Sequence, residues 1–201
     1  MLIVSFQKKS SLINLLLSVQ LIVLGPEHKE RMIYVKNVVR PALIKFLKHC
    51  IDHCKFTSKQ IMLFGFSQGG QIALDLAAFG GLQLNGVLSI AGYMMEESEK
   101  DEPAIKLQTT KVLVMQGDKD DVRTVKASQD KVKHLERIFG KANVSQLVVD
   151  GMGHGMPHSE VRKESPIKRN ASWLIGSLLN IAFYSRNVLY PVFAIRLDGG
   201  H

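Results

Sequence analysis

Residues 61–78 read IMLFGFSQGGQIALDLAA, and this stretch decides the fold. Residues 61–64 are a short apolar run closed by Gly65, the form of a strand buried on both faces. From residue 69 to 79 the side chains of Ile72, Ala73, Leu76 and Ala77 share one helical face. Between strand and helix lies Gly65-Phe66-Ser67-Gln68-Gly69, the pattern G-x-S-x-G. A sharp strand-to-helix turn explains each residue type in it. Glycines at 65 and 69 let the two arms of the turn pass close together. The serine sits at the tip with a strained backbone, and its hydroxyl projects out of the sheet. The N–H of Gln68 then lies at a helix N-terminus, where it can meet a developing negative charge.

Working outward, residues 21–24 (LIVL) before Gly25-Pro26 read as a strand ending at a turn, and residues 27–59 as a turn followed by a long helix. Leu43, Leu47, Cys50 and Cys54 form the apolar stripe of that helix, and Pro41 starts or kinks it. Residues 87–90 and 112–115 are two more buried strands, separated by the polar loop 96–103 (EESEKDEP). An amphipathic helix over 122–139 and a last strand over 147–149 follow. Strands alternate with helices from about residue 20 to 150, which predicts βαβ units and a mostly parallel sheet in an α/β fold. No internal repeat or linker divides the chain.

The chain has 201 residues, 46% of them hydrophobic and 22% charged, which excludes a disordered, collagen-like or low-complexity protein. Two cysteines, four residues apart, exclude a disulfide scaffold and suit a reducing compartment, so a cytoplasmic location is expected. The formal charge is +8, made of +7 over residues 1–60, −5 over 61–121 and +6 over 122–201. The positive residues are spaced singly along helix-like segments, the mark of a solvated face, so no nucleic-acid partner is expected. A basic exterior also suits transient contact with an anionic membrane surface.

Residues 1–25 admit a second reading. Lys8 and Lys9, the apolar stretch 12–24 and the small Gly25 have the outline of a secretory signal. Against it, Asn14, Ser18 and Gln20 interrupt the stretch, an apolar run (Leu2, Ile3, Val4, Phe6) precedes the lysines, and a bilayer span needs about 20 apolar residues. Residues 173–195 are also apolar-rich, but Asn180, Arg186, Asn187 and Pro191 break them.

A serine hydroxyl needs a base, and the base needs an orienting carboxylate. In an elbow fold they follow the serine in the order acid, then histidine. The strand at 112–115 leads into Gln116-Gly117-Asp118-Lys119-Asp120-Asp121, and the strand at 147–149 into Asp150-Gly151-Met152-Gly153-His154-Gly155. Both loops follow strands, where open α/β sheets place their ligand-binding groups. Asp118, Asp120 and Asp121 compete for the acid, the others being free to cap the next helix. His154, flanked by glycines, is the candidate base, with His158 as runner-up. His49, Cys50, His53 and Cys54 form H-C-x-x-H-C, a conceivable zinc pattern, but a buried cysteine pair flanked by surface histidines is preferred. No metal is expected.

The segments GFSQGG (65–70), QGDKD (116–120) after its strand, and GMGH (151–154) resemble the acyl-protein thioesterase / phospholipase–carboxylesterase family of α/β-hydrolases, over about residues 33–162. That resemblance implies a three-layer α/β-hydrolase fold with the early strands partly missing, in one domain over 1–164, followed by an atypical C-terminal extension over 165–201. It implies Ser67 as nucleophile, Asp120 as acid, His154 as base and Gln68 as an oxyanion donor, with no cofactor. LSIAGYM (88–94) resembles the loop that lines the family's acyl pocket. The implied activity is cleavage of long-chain acyl esters or thioesters, with an acylated protein or a small lipid ester as partner. The family's early His-Gly loop, which completes the oxyanion hole, has no counterpart before the elbow; His28 is the only histidine ahead of the long helix. A hydrolase-fold protein with weak or no activity is therefore the alternative, and a membrane-associated or secreted form a third reading.

Overall fold

The computed structural model describes residues 2–8, 11–15, 33–95, 98, 100–106 and 108–155. Its strands are β1 (Leu2–Lys8), β2 (Ser11–Leu15), β3 (Ile61–Phe66), β4 (Gly86–Ile90), β5 (Lys111–Gly117) and β6 (Val144–Val149). Its helices are α1 (Arg40–Cys54), α2 (Gln68–Phe79) and α3 (Val125–Phe139). The strands form one sheet in the order β2-β1-β3-β4-β5-β6. β3 to β6 run parallel, joined by the units β3–α2–β4 and β5–α3–β6, while β1 is antiparallel to both β2 and β3.

Period-two alternation sends each strand's side chains to opposite faces. Ile61, Leu63, Val87, Val112 and Val114 join Leu43 and Leu47 of α1, Leu76 of α2, and Leu135 and Phe139 of α3 in the larger core. Met62, Phe64, Leu88, Ile90, Leu113, Met115 and Val149 form a second buried cluster. Both faces of β3, β4 and β5 are thus shielded from solvent, which is why these strands read as unbroken apolar runs. The register pairs Phe66 with Ile90, Ile90 with Met115, and Gly117 with Val149, so the four parallel strands end on one edge.

Several boundaries differ from the sequence reading. The opening apolar run is a strand of the sheet, paired with β3 from Leu2↔Gly65 to Phe6↔Ile61, and residues 11–15 form a second strand beside it. Residues 21–24 and 173–195, His28 and His158 lie outside the described residues, as does the extension over 165–201. α1 is preceded by a π-helical turn, Val35–Val39, in which the Arg40 N–H reaches the Val35 carbonyl. Pro41 has no N–H to continue the tighter ladder, which accounts for the wider turn just before it. Cys50 is buried but Cys54 is exposed, which corrects the expected buried pair. Cys54 is the last residue of the helix, and Lys55 (φ 57°) turns the chain away there. β6 starts three residues earlier than its apolar core suggests, because it is only half buried and tolerates Ser145 and Gln146. α3 starts at Val125, not 122, and Thr124 caps it by accepting the Ala127 N–H at 3.3 Å.

One ionic cluster ties the helices together. Arg40 donates through Nε and Nη2 to the two carboxylate oxygens of buried Asp75, both at 2.6 Å. Ser98 Oγ donates to the same carboxylate at 2.8 Å, and Lys36 pairs with Asp101 at 2.6 Å. The stretch that reads as a polar loop is in this way anchored to α1 and α2. Among the described residues no helix is long and apolar enough to cross a membrane.

Candidate active site

β3 delivers the chain to Ser67 at the C-terminal edge of the sheet. Ser67 has φ 52° and ψ −118°, a conformation that L residues seldom adopt. Its N–H donates to the Ile90 carbonyl at 2.8 Å, and its own carbonyl accepts the N–H groups of Gly70 (2.9 Å) and Gln71 (3.2 Å). These bonds hold the strain in place. A Cβ on Gly65 would overlap the Gly69 carbonyl, so the crossing arms require glycine at 65. Gln68 is the first residue of α2, and its N–H has no acceptor within the helix.

The loop after β5 brings Asp120 into the interior, 4% exposed. Its Oδ1 accepts the N–H groups of Val122 (3.0 Å) and Arg123 (2.7 Å), and its Oδ2 accepts from Gln116 Nε2 at 2.8 Å. Gln116 Nε2 also donates to the Arg123 carbonyl. Burial alone would push the Asp120 carboxyl up. The Arg123 N–H, followed by His154 and Gln116, outweighs it and holds the group below its ordinary value. Asp118 and Asp121 are exposed.

The loop after β6 crosses the loop after β5. A Cβ on Gly117 would overlap the Met152 carbonyl, which also accepts the Lys119 N–H at 3.0 Å. This contact sets the position of His154 two residues on. His154 Nδ1 lies 2.9 Å from Asp120 Oδ2 and 3.1 Å from Oδ1, and Nε2 lies 3.1 Å from Ser67 Oγ. The carboxylate has only acceptors, so it fixes the tautomer: Nδ1 carries the hydrogen and Nε2 is left to accept the Ser67 hydroxyl proton. The Phe66 ring flanks the imidazole at 5.2 Å between centroids. An acceptor nitrogen against a strained, projecting hydroxyl is a device for raising oxygen nucleophilicity.

Ser67, Asp120, His154 and the Gln68 amide thus meet at one sheet edge. His49 and His53 stack at 4.2 Å, but among the described residues no three His, Cys, Asp or Glu are grouped to hold a metal. Sequence reasoning missed Gln116, which clamps Asp120, and Arg123, whose backbone and side chain both face the site. No motif marks either one, since their roles come from the turn that follows β5.

The pattern of the phospholipase/carboxylesterase family matches residues 24–165, somewhat wider than the span of the resemblance. The chain belongs to the phospholipase/carboxylesterase family. No curated protein gives a match. Among solved structures, this family member is similar to esterase PE8 at 23% identity, over 71% of this chain and 60% of that one, with a TM-score of 0.53. It is similar to a variant of Arabidopsis thaliana SOBER1 at 22% identity, over 76% and 67% of the two chains, with a TM-score of 0.53. It is similar to the Bacillus cereus carboxylesterase at 17% identity, over 85% and 71%, with a TM-score of 0.54. At these identities the likeness establishes the α/β-hydrolase fold. The chain spans about three fifths of the length of esterase PE8.

Proposed function

We propose that this protein is a serine hydrolase of acyl esters or thioesters. The observation that carries the reading is the 3.1 Å approach of His154 Nε2 to Ser67 Oγ, with Asp120 behind Nδ1. His154 takes the hydroxyl proton as Ser67 Oγ attacks the acyl carbonyl carbon. The carbonyl oxygen becomes an oxyanion facing the Gln68 N–H. His154 returns the proton to the departing alkoxide or thiolate, leaving an acyl group on Ser67. Water then repeats the sequence and releases the carboxylic acid. Asp120 orients the ring and stabilises its cationic form without taking the proton itself. The substrate partner is an acylated protein or a small lipid ester, and the low cysteine count supports a cytoplasmic location.

A fluorophosphonate probe tests this directly. Labelling at Ser67, lost in Ser67→Ala, supports the assignment, and folded protein that does not label overturns it. The missing His-Gly loop favours a second reading, in which the oxyanion hole lacks a donor and turnover falls by about 10²–10³. Protein that labels yet leaves a palmitoyl thioester and p-nitrophenyl esters intact, or turns them over only slowly, fits that reading, and steady-state turnover in the ordinary enzyme range of about 1–10³ s⁻¹ removes it.

A further inference from the structure

Arg123 is fixed in the site by its backbone. Its N–H donates to Asp120 Oδ1 at 2.7 Å, and its carbonyl accepts from Gln116. Its half-buried side chain leaves that clamp and lies over the Tyr93 ring, with Cζ 4.6 Å from the centroid. Nη2 points to Gln71 Oε1 at 3.4 Å. Gln71 is 3% exposed, and its N–H is bonded to the Ser67 carbonyl. The guanidinium is thus set against the first turn behind the elbow, where the loops after β3, β4 and β5 converge. Of its five N–H donors, one is engaged by the described residues, and at long range. Among the described residues no carboxylate lies within ion-pair distance of it. Arg40, by contrast, has the Asp75 carboxylate, Ser98 Oγ and Asp101 around its guanidinium.

A partly buried cation with unused donors is unfavourable until an anion reaches it, and a planar fork favours carboxylate or phosphate oxygens. We infer that Arg123 is a specificity-determining residue, and that the substrate of the proposed hydrolase carries a carboxylate or phosphate in addition to its scissile ester. The inference rests on the serine-hydrolase reading for its reaction and on the Arg123 surroundings for its selectivity. Stacking on Tyr93 orients the guanidinium while leaving its edge donors for the ligand.

Two matched substrate pairs test it. p-Nitrophenyl octanoate is compared with the mono-p-nitrophenyl ester of suberic acid, which adds a carboxylate to the acyl end. Monooctanoylglycerol is compared with its phosphate monoester, which puts the anion on the alcohol side. The readout is the anionic-to-neutral ratio of kcat/KM, in which any damage to the Asp120 clamp cancels. In Arg123→Gln that ratio falls by about ten- to a hundredfold for one pair, the range that a hydrogen bond to a charged group supplies, and Arg123→Lys restores part of it. The pair that responds identifies the side carrying the anion. Ratios unchanged in Arg123→Gln for both pairs overturn the inference.

Calorimetry of Ser67→Ala with suberic acid monomethyl ester and with glycerol phosphate supplies an arm that needs no turnover. Binding of one of them that disappears in Ser67→Ala/Arg123→Gln supports the anion site. Equal affinities with and without the guanidinium, or no binding to either protein, overturn it. If no member of either pair is hydrolysed, the hydrolase reading falls, while the calorimetric arm still decides on Arg123.

Discussion

Gly117 and Met152 are packed backbone against backbone, and through them the acid loop and the histidine loop form one unit. The Met152 carbonyl occupies the space a side chain at 117 would need, and Lys119 donates to that same oxygen. A methyl group at 117 therefore moves the loop that carries His154. Gly117→Ala is expected to lower stability by about 1–3 kcal/mol, as overpacking does. It is expected to lower kcat/KM about 10²-fold, since small misplacements of a reacting group are costly. Urea titration and the rate of fluorophosphonate labelling measure the two effects. Wild-type labelling at wild-type stability would contradict the interlock.

Asp120→Asn keeps the shape of the acid and removes its charge. It is expected to reduce kcat by about 10⁴, because the amide favours the wrong imidazole tautomer. The same variant tests a pH effect. The Asp120 carboxyl is held below its ordinary value in the folded protein. Its charged form thus adds stability that is fully present above the unfolded value of about 3.9. That stability is lost as pH falls through the lower folded value. Unfolding free energies of wild type and variant, taken from pH 6 downward, should converge on acidification. A gap that stays constant below about pH 4 would refute the linkage.

Arg40, partly buried, and Asp75, fully buried, make a two-pronged ion pair between α1 and α2. Removing one partner strands the other, at a cost of about 3–5 kcal/mol. Arg40→Ala and Asp75→Ala should each destabilise by that amount, and the double variant by much less than their sum. Thermal or urea melts of the four proteins give the coupling. Additive losses would mean that the pair acts independently.

The two cysteines should react very differently. Burial, followed by the adjacent Cys54, pushes the Cys50 thiol up to about 11, so it remains a thiol at pH 8. Cys54 is exposed at the end of α1. Iodoacetamide at pH 8 is expected to modify Cys54 in native protein and Cys50 only after unfolding, as read by peptide mass spectrometry. Equal native labelling would mean that α1 frays past its last turn.

The sequence made β3, β4 and β5 legible because those strands are buried on both faces and appear as unbroken apolar runs. The elbow was legible because a positive-φ serine between crossing arms demands glycines at fixed spacing. The histidine loop announced itself by its glycines. Less legible was the choice among Asp118, Asp120 and Asp121, identical in chemistry and separated only by which one turns inward to meet Gln116 and two backbone amides. The opening strands were hidden because Lys8, read with Lys9 as the basic outline of a secretory signal, is the last residue of β1. Cys54 fits the helical stripe yet falls where the helix ends, and periodicity carries no information about where a core stops.

β6 is the outermost parallel strand in the described sheet, its burial is only partial, and Val148 is 41% exposed. It nevertheless carries the loop that holds His154. The elbow can therefore be complete while the molecule is still inert, because the imidazole arrives with a half-buried strand at the border of the described sheet. Covalent capture of Ser67 by a probe would report the docking of this border strand, making reactivity a gauge of how far assembly has progressed.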